Sequence, residues 1–118
     1  MNPIFTVIED YTTQYNIPVI LYKGEDVKVG ERFTVDPDWP GWIWCENKRG
    51  EKGWVLERVL EVDHDKGLVV EDFNSRELNV KTGLKLKAFR SEAGWIWCET
   101  ESGEIGWVPL KNVKQIGD

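Results

Sequence analysis

The sequence Gly41-Trp42-Ile43-Trp44-Cys45-Glu46 occurs a second time, as Gly94-Trp95-Ile96-Trp97-Cys98-Glu99. A further match follows at the same spacing in both places, where Gly50-Glu51-Lys52-Gly53-Trp54-Val55 corresponds to Gly103-Glu104-Ile105-Gly106-Trp107-Val108. Six identical residues, two of them Trp, do not recur by chance in a chain of 118 residues. The repeat therefore predicts two copies of one small structural unit.

Both copies consist of short apolar or alternating stretches separated by turn residues. Trp42–Glu46 alternates and is followed by the turn sequence Asn47-Lys48-Arg49-Gly50, which predicts a hairpin with the strand that begins near Gly53. No stretch has ten or more residues of helical periodicity. We predict an all-β protein of two tandem five-stranded units, each a small barrel or sandwich.

The expected domain boundaries follow from the repeat. We predict one domain over residues 1–62, a linker over residues 63–67 and a second domain over residues 68–118. The linker, Asp63-His64-Asp65-Lys66-Gly67, is too short to act as a flexible tether, so the two domains are expected to meet across a defined interface.

Charge and composition exclude several functional classes. The chain carries 15 Lys and Arg against 21 Asp and Glu, a net charge of −6, and lacks a basic cluster, so nucleic-acid binding is not expected. Residues 1–63 hold most of this charge, with 7 basic against 12 acidic residues. That imbalance suggests either simple solubility or a cationic partner for the first copy.

Neither a membrane segment nor a leader is expected. No apolar run approaches the roughly 18 residues that span a bilayer. The N-terminal sequence has no basic start followed by a long apolar stretch, which predicts a cytoplasmic protein.

Cys45 and Cys98 occupy the same position in the two copies, opposite the Trp residues in an alternating strand. We predict a buried free thiol in each core rather than a disulfide between two separate cores. Two cysteines and one histidine do not supply a usual zinc site, and no other metal or cofactor is expected. His64 is interpreted as an exposed turn residue, and no nucleophile–base pair or Gly-rich phosphate loop is present, so we predict that the protein is not an enzyme.

Four ordered motifs carry a resemblance to a known family. Val7-Ile8-Glu9-Asp10-Tyr11 and Val69-Val70-Glu71-Asp72-Phe73 resemble its opening Ala-Leu-Tyr-Asp-Tyr, and Val19–Gly24 and Leu78–Gly83 are similar to its Leu-x-Phe-x-x-Gly step. Trp42-Ile43 and Trp95-Ile96 stand where that family has a Trp-Trp pair, and Gly53–Leu60 and Gly106–Val113 resemble its closing Gly-Tyr-Ile-Pro-Ser-Asn-Tyr-Val. The family is the Src-homology-3 (SH3) domain, and the tandem, variant form is similar to bacterial SH3-domain proteins.

The resemblance implies binding of an extended, Pro-containing peptide in an aromatic groove, with loop carboxylates that select a basic residue. It assigns the groove residues Tyr11 and Trp42 to the first copy and Phe73, Trp95 and Pro109 to the second. At the other groove positions the family's first Tyr is replaced by Glu9 and Glu71, and its final Tyr by Val59 and Asn112. The groove Pro is replaced by Leu56 in the first copy. Each copy therefore keeps part of the groove.

Alternation places Trp42 and Trp44 on the outer face of their strand, together with Trp95 and Trp97 in the second copy. These side chains either cover one another or pack at the junction of the domains, or they form a binding site. The predicted peptide site consists of Tyr11, Trp39 and Trp42, rimmed by Glu9, Asp10, Asp36 and Asp38, with the weaker counterpart at Phe73, Trp95 and Pro109. Aromatic faces beside carboxylates suit Arg or Lys of a partner.

The predicted function is thus a non-enzymatic protein- or peptide-binding module, monomeric, with a basic and Pro-containing partner. Binding to cell-wall glycan or peptide is one alternative, although the expected absence of a signal peptide argues against it. A purely structural or regulatory subunit is the other.

Overall fold

Twelve short β-strands and two 3-10 turns form the part of the chain that the structure, a computed structural model, describes, which is residues 2–118. The strands are β1 (Ile4–Val7), β2 (Ile20–Leu21), β3 (Asp26–Arg32), β4 (Trp42–Glu46), β5 (Lys52–Leu56), β6 (Leu60–Asp63), β7 (Lys66–Val69), β8 (Phe73–Asn74), β9 (Lys85–Glu92), β10 (Trp95–Thr100), β11 (Ile105–Pro109) and β12 (Val113–Gly117). The 3-10 turns are Glu57–Val59 and Leu110–Asn112. The all-β prediction is confirmed.

The strands form two five-stranded sheets of the same design. One sheet has the order β5-β4-β3-β7-β6 and the other β11-β10-β9-β1-β12. The short strands β2 and β8 pair separately. In each large sheet the three central strands of one sequence copy are joined by a strand from the start of the other copy, which is β7 in the first sheet and β1 in the second.

The chain accordingly divides into two compact units that differ from the predicted domains. The inserted unit is Ile17–Ser75, and the split unit consists of the residues up to Asn16 together with Arg76–Asp118. The predicted boundaries, 1–62 and 68–118, assigned β1 to the wrong unit, because β1 pairs with β9 and β12 rather than with strands of its own copy.

The predicted linker over residues 63–67 is also wrong, since these residues lie inside the inserted unit. Asp63 pairs with Lys66, so His64 and Asp65 form a two-residue turn between the antiparallel strands β6 and β7. Closing such a short loop costs less conformational entropy than bringing β1 back from the start of the chain to β6. The local hairpin therefore supplies the strand that completes the first sheet.

Inward-facing apolar side chains fill a core in each unit, as the alternation predicts. Ile43 and Cys45 of β4 are buried in the inserted unit, and Ile96 and Cys98 of β10 are buried in the split unit. The split unit's core comprises Val7, Leu78, Val80, Leu86, Ala88, Ile96, Cys98, Val108 and Val113. Val7, which comes from the first strand, thus packs with residues from the end of the chain.

Both cysteines are buried and free, which confirms the prediction for each of them. Burial raises the pKa of the Cys45 and Cys98 thiols to about 12. None of the helical segments within residues 2–118 is long and apolar enough to cross a membrane.

Candidate functional site

Tyr11 lies in the split unit and packs against the Trp of the second copy. Its ring meets Trp95 edge-on, with centroids 5.6 Å apart and planes at 87°. Its backbone forms two 2.9 Å hydrogen bonds with Val80, and Trp95 lies opposite Pro109 in the β10–β11 register. The structure therefore brings together Tyr11, Trp95 and Pro109, three groove residues that the sequence prediction divided between two domains.

The carboxylates next to Tyr11 have different environments. Asp10 accepts hydrogen bonds from the backbone N–H and the hydroxyl of Thr82, at 2.6 and 2.9 Å. These bonds lower the pKa of Asp10, and they bind its carboxylate to the turn that precedes Leu84. Glu9 is exposed, and its carbonyl accepts a 3.2 Å hydrogen bond from the Asn112 amide.

In the inserted unit Trp42 packs against Phe73, with ring centroids 6.3 Å apart at 63°. The structure thus places Tyr11 and Trp42 in different units, and each opening motif packs with the Trp of the other copy. The physical reason is the strand pairing described above, since Tyr11 follows β1 and Phe73 follows β7.

Trp42 and Trp95, the expected ligand-stacking residues, are only 7% and 6% exposed. Alternation identified the face of the strand on which they lie but not that this face is covered. Their burial shows that both side chains pack within the fold. Among the four Trp side chains predicted to point outward, Trp44 and Trp97 remain partly exposed.

Trp39, Asp36 and Asp38 lie together in the inserted unit, on the loop between β3 and β4. The Asp36 carboxylate accepts a 2.9 Å hydrogen bond from the Asp38 backbone N–H, and the Asp36 carbonyl accepts one of 3.1 Å from the Trp39 N–H. This local turn fixes the loop and holds two acidic residues directly before the Trp39 ring.

Trp39 is the end of a row of aromatic side chains on the inserted unit. We call Trp39, Phe33, Trp54 and Trp44 the aromatic row. Successive ring centroids in that order are 6.0, 5.1 and 5.2 Å apart. All four side chains are partly exposed. Sequence reasoning missed Phe33 and Trp54 here, although a hairpin centred on Asn47–Gly50 would have placed Trp54 opposite Trp44.

A second candidate feature is a shallow depression on the split unit. It is lined by Ile4, Lys85, Leu86, Lys87, Glu99, Thr100 and Glu101. The Lys87 Nζ lies 3.6 Å from a Glu99 carboxylate oxygen, so charges of opposite sign meet within it. It contains none of the predicted site residues. Within residues 2–118 no group of three or more His, Cys, Asp or Glu side chains is placed to hold a metal ion.

Comparison with known families identifies the fold. A family model described as a variant SH3 domain matches residues 4–63, slightly more than half of the chain. The chain belongs to the variant SH3 domain family. No curated protein and no solved structure matches it significantly.

The SH3 match spans one sequence copy, and the structure divides that copy between two units. Residues 4–16 of the match lie in the split unit, and residues 17–63 lie in the inserted unit. The first strand of the matched region thus joins the sheet formed by the end of the chain.

Proposed function

We propose that this SH3-family chain is a non-enzymatic module that binds a basic, extended segment of a partner protein, and that the inserted unit carries the binding surface. The family is one of protein- and peptide-binding modules, which supports the general function. The observation that carries the choice of unit is the partly exposed Trp39 held directly after Asp36 and Asp38.

Charge supports the same unit. Residues 17–75 contain 8 Lys and Arg against 13 Asp and Glu, a net charge of −5, whereas the rest of the chain has 7 against 8, a net charge of −1. A cationic peptide is attracted to the first surface more strongly than to the second, and the attraction falls as salt screens charges beyond about 10 Å at 0.1 M.

The test is an NMR titration of the full chain at low salt with a panel of short basic peptides that contain proline. We expect the backbone signals of Asp36–Trp39 and the Trp39 indole signal to move before those near Trp95. Trp39→Ala should weaken binding by about tenfold or more, because aromatic anchors dominate such interfaces. Trp97→Ala, on the split unit, is the matched control and should leave affinity unchanged. A panel that moves no Trp indole signal at low salt would overturn the proposal.

A purely structural role is the second candidate, and the burial of Trp42 and Trp95 favours it. In that case both Trp residues serve only the fold. The same titration separates the candidates, since a structural subunit leaves all of the indole signals in place.

A further inference from the structure

In the split unit a guanidinium group from the chain itself lies over one ring of a pair of Trp side chains. Trp97 and Trp107 lie opposite each other in the β10–β11 register, with centroids 5.1 Å apart. Arg90 of β9 pairs with Trp97, and its guanidinium carbon lies 5.5 Å from the centre of the Trp107 ring. Trp107 is 1% exposed. This arrangement is a cation–π interaction supplied internally.

The inserted unit has the same pair of Trp rings with an acidic residue in place of that arginine. Trp44 and Trp54 are also paired across a hairpin, with centroids 5.2 Å apart. Each sheet has a bulge opposite the Trp of its central strand. In the inserted unit the bulge lies between the pairs Val29↔Cys45 and Arg32↔Ile43. In the split unit it lies between the pairs Ala88↔Cys98 and Ser91↔Ile96. The bulge residues are Phe89 and Arg90 in the split unit and Gly30 and Glu31 in the inserted unit. Glu31 therefore occupies the position of Arg90.

The Trp surface is more open in the inserted unit. Trp54 is partly exposed, whereas its counterpart Trp107 is buried. Gly30 contributes no side chain, and an added Cβ there would lie 3.3 Å from Cδ1 of Trp44, so the bare backbone lies against the indole. Phe33 meets Trp54 edge-on at 5.1 Å and forms the far side of the surface.

We propose that the inserted unit binds an arginine side chain of its partner on the surface formed by Trp44 and Trp54, with Glu31 as the counter-ion. The inference rests on the proposed function and specifies the residue that is recognised. Arg90 shows that this sheet geometry accepts a guanidinium group over Trp107, the counterpart of Trp54. An exposed carboxylate at the equivalent position favours a cation from outside the chain. Arginine suits this site because its planar guanidinium stacks on an indole ring and forms two parallel hydrogen bonds with a carboxylate.

The first test compares two peptides that differ only in charge. A short peptide of alternating Pro and Arg residues and its citrulline analogue, which keeps the planar group and removes the charge, are titrated separately into the full chain at low salt. The Arg peptide should move the indole signals of Trp44 and Trp54. The citrulline peptide should bind roughly five- to tenfold more weakly, since both the cation–π contact and the ion pair are lost.

A reciprocal exchange of residues provides the decisive test. Glu31→Arg should place a guanidinium over Trp44 and Trp54 and reduce binding of the Arg peptide at least about tenfold. Arg90→Glu should open the split unit, so that the same peptide now moves the signals of Trp97 and Trp107. Both positions are exposed, so neither change disturbs a core. Glu31→Gln removes only the charge and should weaken binding by a smaller factor. It replaces Glu31→Arg as the test variant if Glu31→Arg alters the fold.

Three results overturn the inference in distinguishable ways. If the Arg peptide moves the Asp36–Trp39 signals but binds Glu31→Arg and Glu31→Gln as tightly as the natural chain, peptide binding stands and the arginine site is wrong. If the citrulline peptide binds equally well, the surface recognises shape and not charge. If neither peptide moves any Trp signal, both the arginine site and the proposed function are wrong.

Discussion

The hydroxyl of Tyr11 donates a 2.6 Å hydrogen bond to the carboxylate of Glu77, which connects the segment before the inserted unit to the segment after it within the split unit. Thr13 donates a second hydrogen bond, of 2.9 Å, to the same carboxylate. Burial raises the pKa of Glu77 above its ordinary value, and these two hydrogen bonds act in the opposite direction. The carboxylate is therefore a buried charge that depends on its donors.

This arrangement predicts a pH-dependent stability relative to Glu77→Gln. A carboxyl with a raised pKa in the folded state contributes fully to stability below its unfolded pKa, and that contribution is lost as the pH rises through the folded pKa. The free energy of unfolding of the natural chain, minus that of Glu77→Gln, should decrease from about pH 4.5 upward and then level off. Chemical denaturation at a series of pH values measures it. A difference that is constant with pH, or that increases, would contradict the assignment.

Tyr11→Phe should raise the pKa of Glu77 further, because it removes a donor that favours the ionised form. It should also lower the free energy of unfolding above that pKa by about 1.5 kcal/mol or more, the contribution of a hydrogen bond to a charged group. A carbon-detected NMR titration of the Glu77 carboxyl measures the pKa. Tyr22→Phe, at an exposed tyrosine of the inserted unit, is the control and should change neither quantity.

Gly53 and Gly106 occupy the same position in the two sequence copies and are expected to respond differently to substitution by alanine. A Cβ at Gly106 would lie 2.9 Å from the Arg76 carbonyl oxygen and from the Leu78 side chain. That carbonyl accepts a 2.8 Å hydrogen bond from the Trp107 N–H, so it cannot move without a cost. At Gly53 the nearest atom is Cγ2 of Val19, at 3.1 Å.

Gly106→Ala should therefore destabilise the protein by about 2–3 kcal/mol and Gly53→Ala by about 1 kcal/mol, within the range for overpacked sites. Urea denaturation of the two variants provides the comparison. Equal losses would show that the Arg76 carbonyl is not held against β11.

Most of this fold could be predicted from the sequence, and the part that could not depends on particular residues. Alternation placed Ile43 and Cys45 inside because strand side chains alternate between faces. It could not say whether β1 or β7 completes a given sheet, because Val7 and Val69 begin similar motifs and fit the same position. That choice depends on chain connectivity, through the two-residue turn at His64 and Asp65.

The candidate site was predicted less well for the same reason. Trp39, Asp36 and Asp38 are close in sequence and lie on one loop, whereas Tyr11 and Trp42 were assigned to one groove and lie in different units. The exchange of Arg90 for Glu31 depends on the bulge register, which the sequence alone does not determine.

Ala93 provides a stabilising prediction. Ala93 and Gly94 join β9 to β10 and both have positive φ, 54° and 85°, as a type I′ turn requires. A side chain with a Cβ is strained there, and asparagine tolerates the conformation better than alanine. Ala93→Asn should raise the free energy of unfolding by about 0.5–1 kcal/mol, as measured by urea denaturation. The same substitution at exposed Ser91 should not stabilise the protein, and a loss of stability at residue 93 would contradict the turn assignment.

The division into units predicts which fragments fold. The fragment of residues 17–75 contains β2 to β8, including β7, which pairs with both β3 and β6. It also retains the packing of Phe73 on Trp42. We expect it to unfold cooperatively with a free energy of about 3 kcal/mol, typical of a domain of this size. The fragment of residues 4–63, although it corresponds to the SH3 family match, lacks β7 and Phe73 and retains β1 without its partners β9 and β12.

Residues 4–63 should therefore show poor signal dispersion in NMR spectra and unfold without a sharp transition, unless β1 moves into the place of β7. Both fragments contain β2 to β6, and they differ in whether β1 or the segment from β7 to β8 is present. The spectrum of residues 17–75 should overlay on the corresponding signals of the full chain. A fragment of residues 4–63 that folds more stably than residues 17–75 would show that β1 belongs with its own sequence copy, and would contradict the pairing of Val7 with Val113.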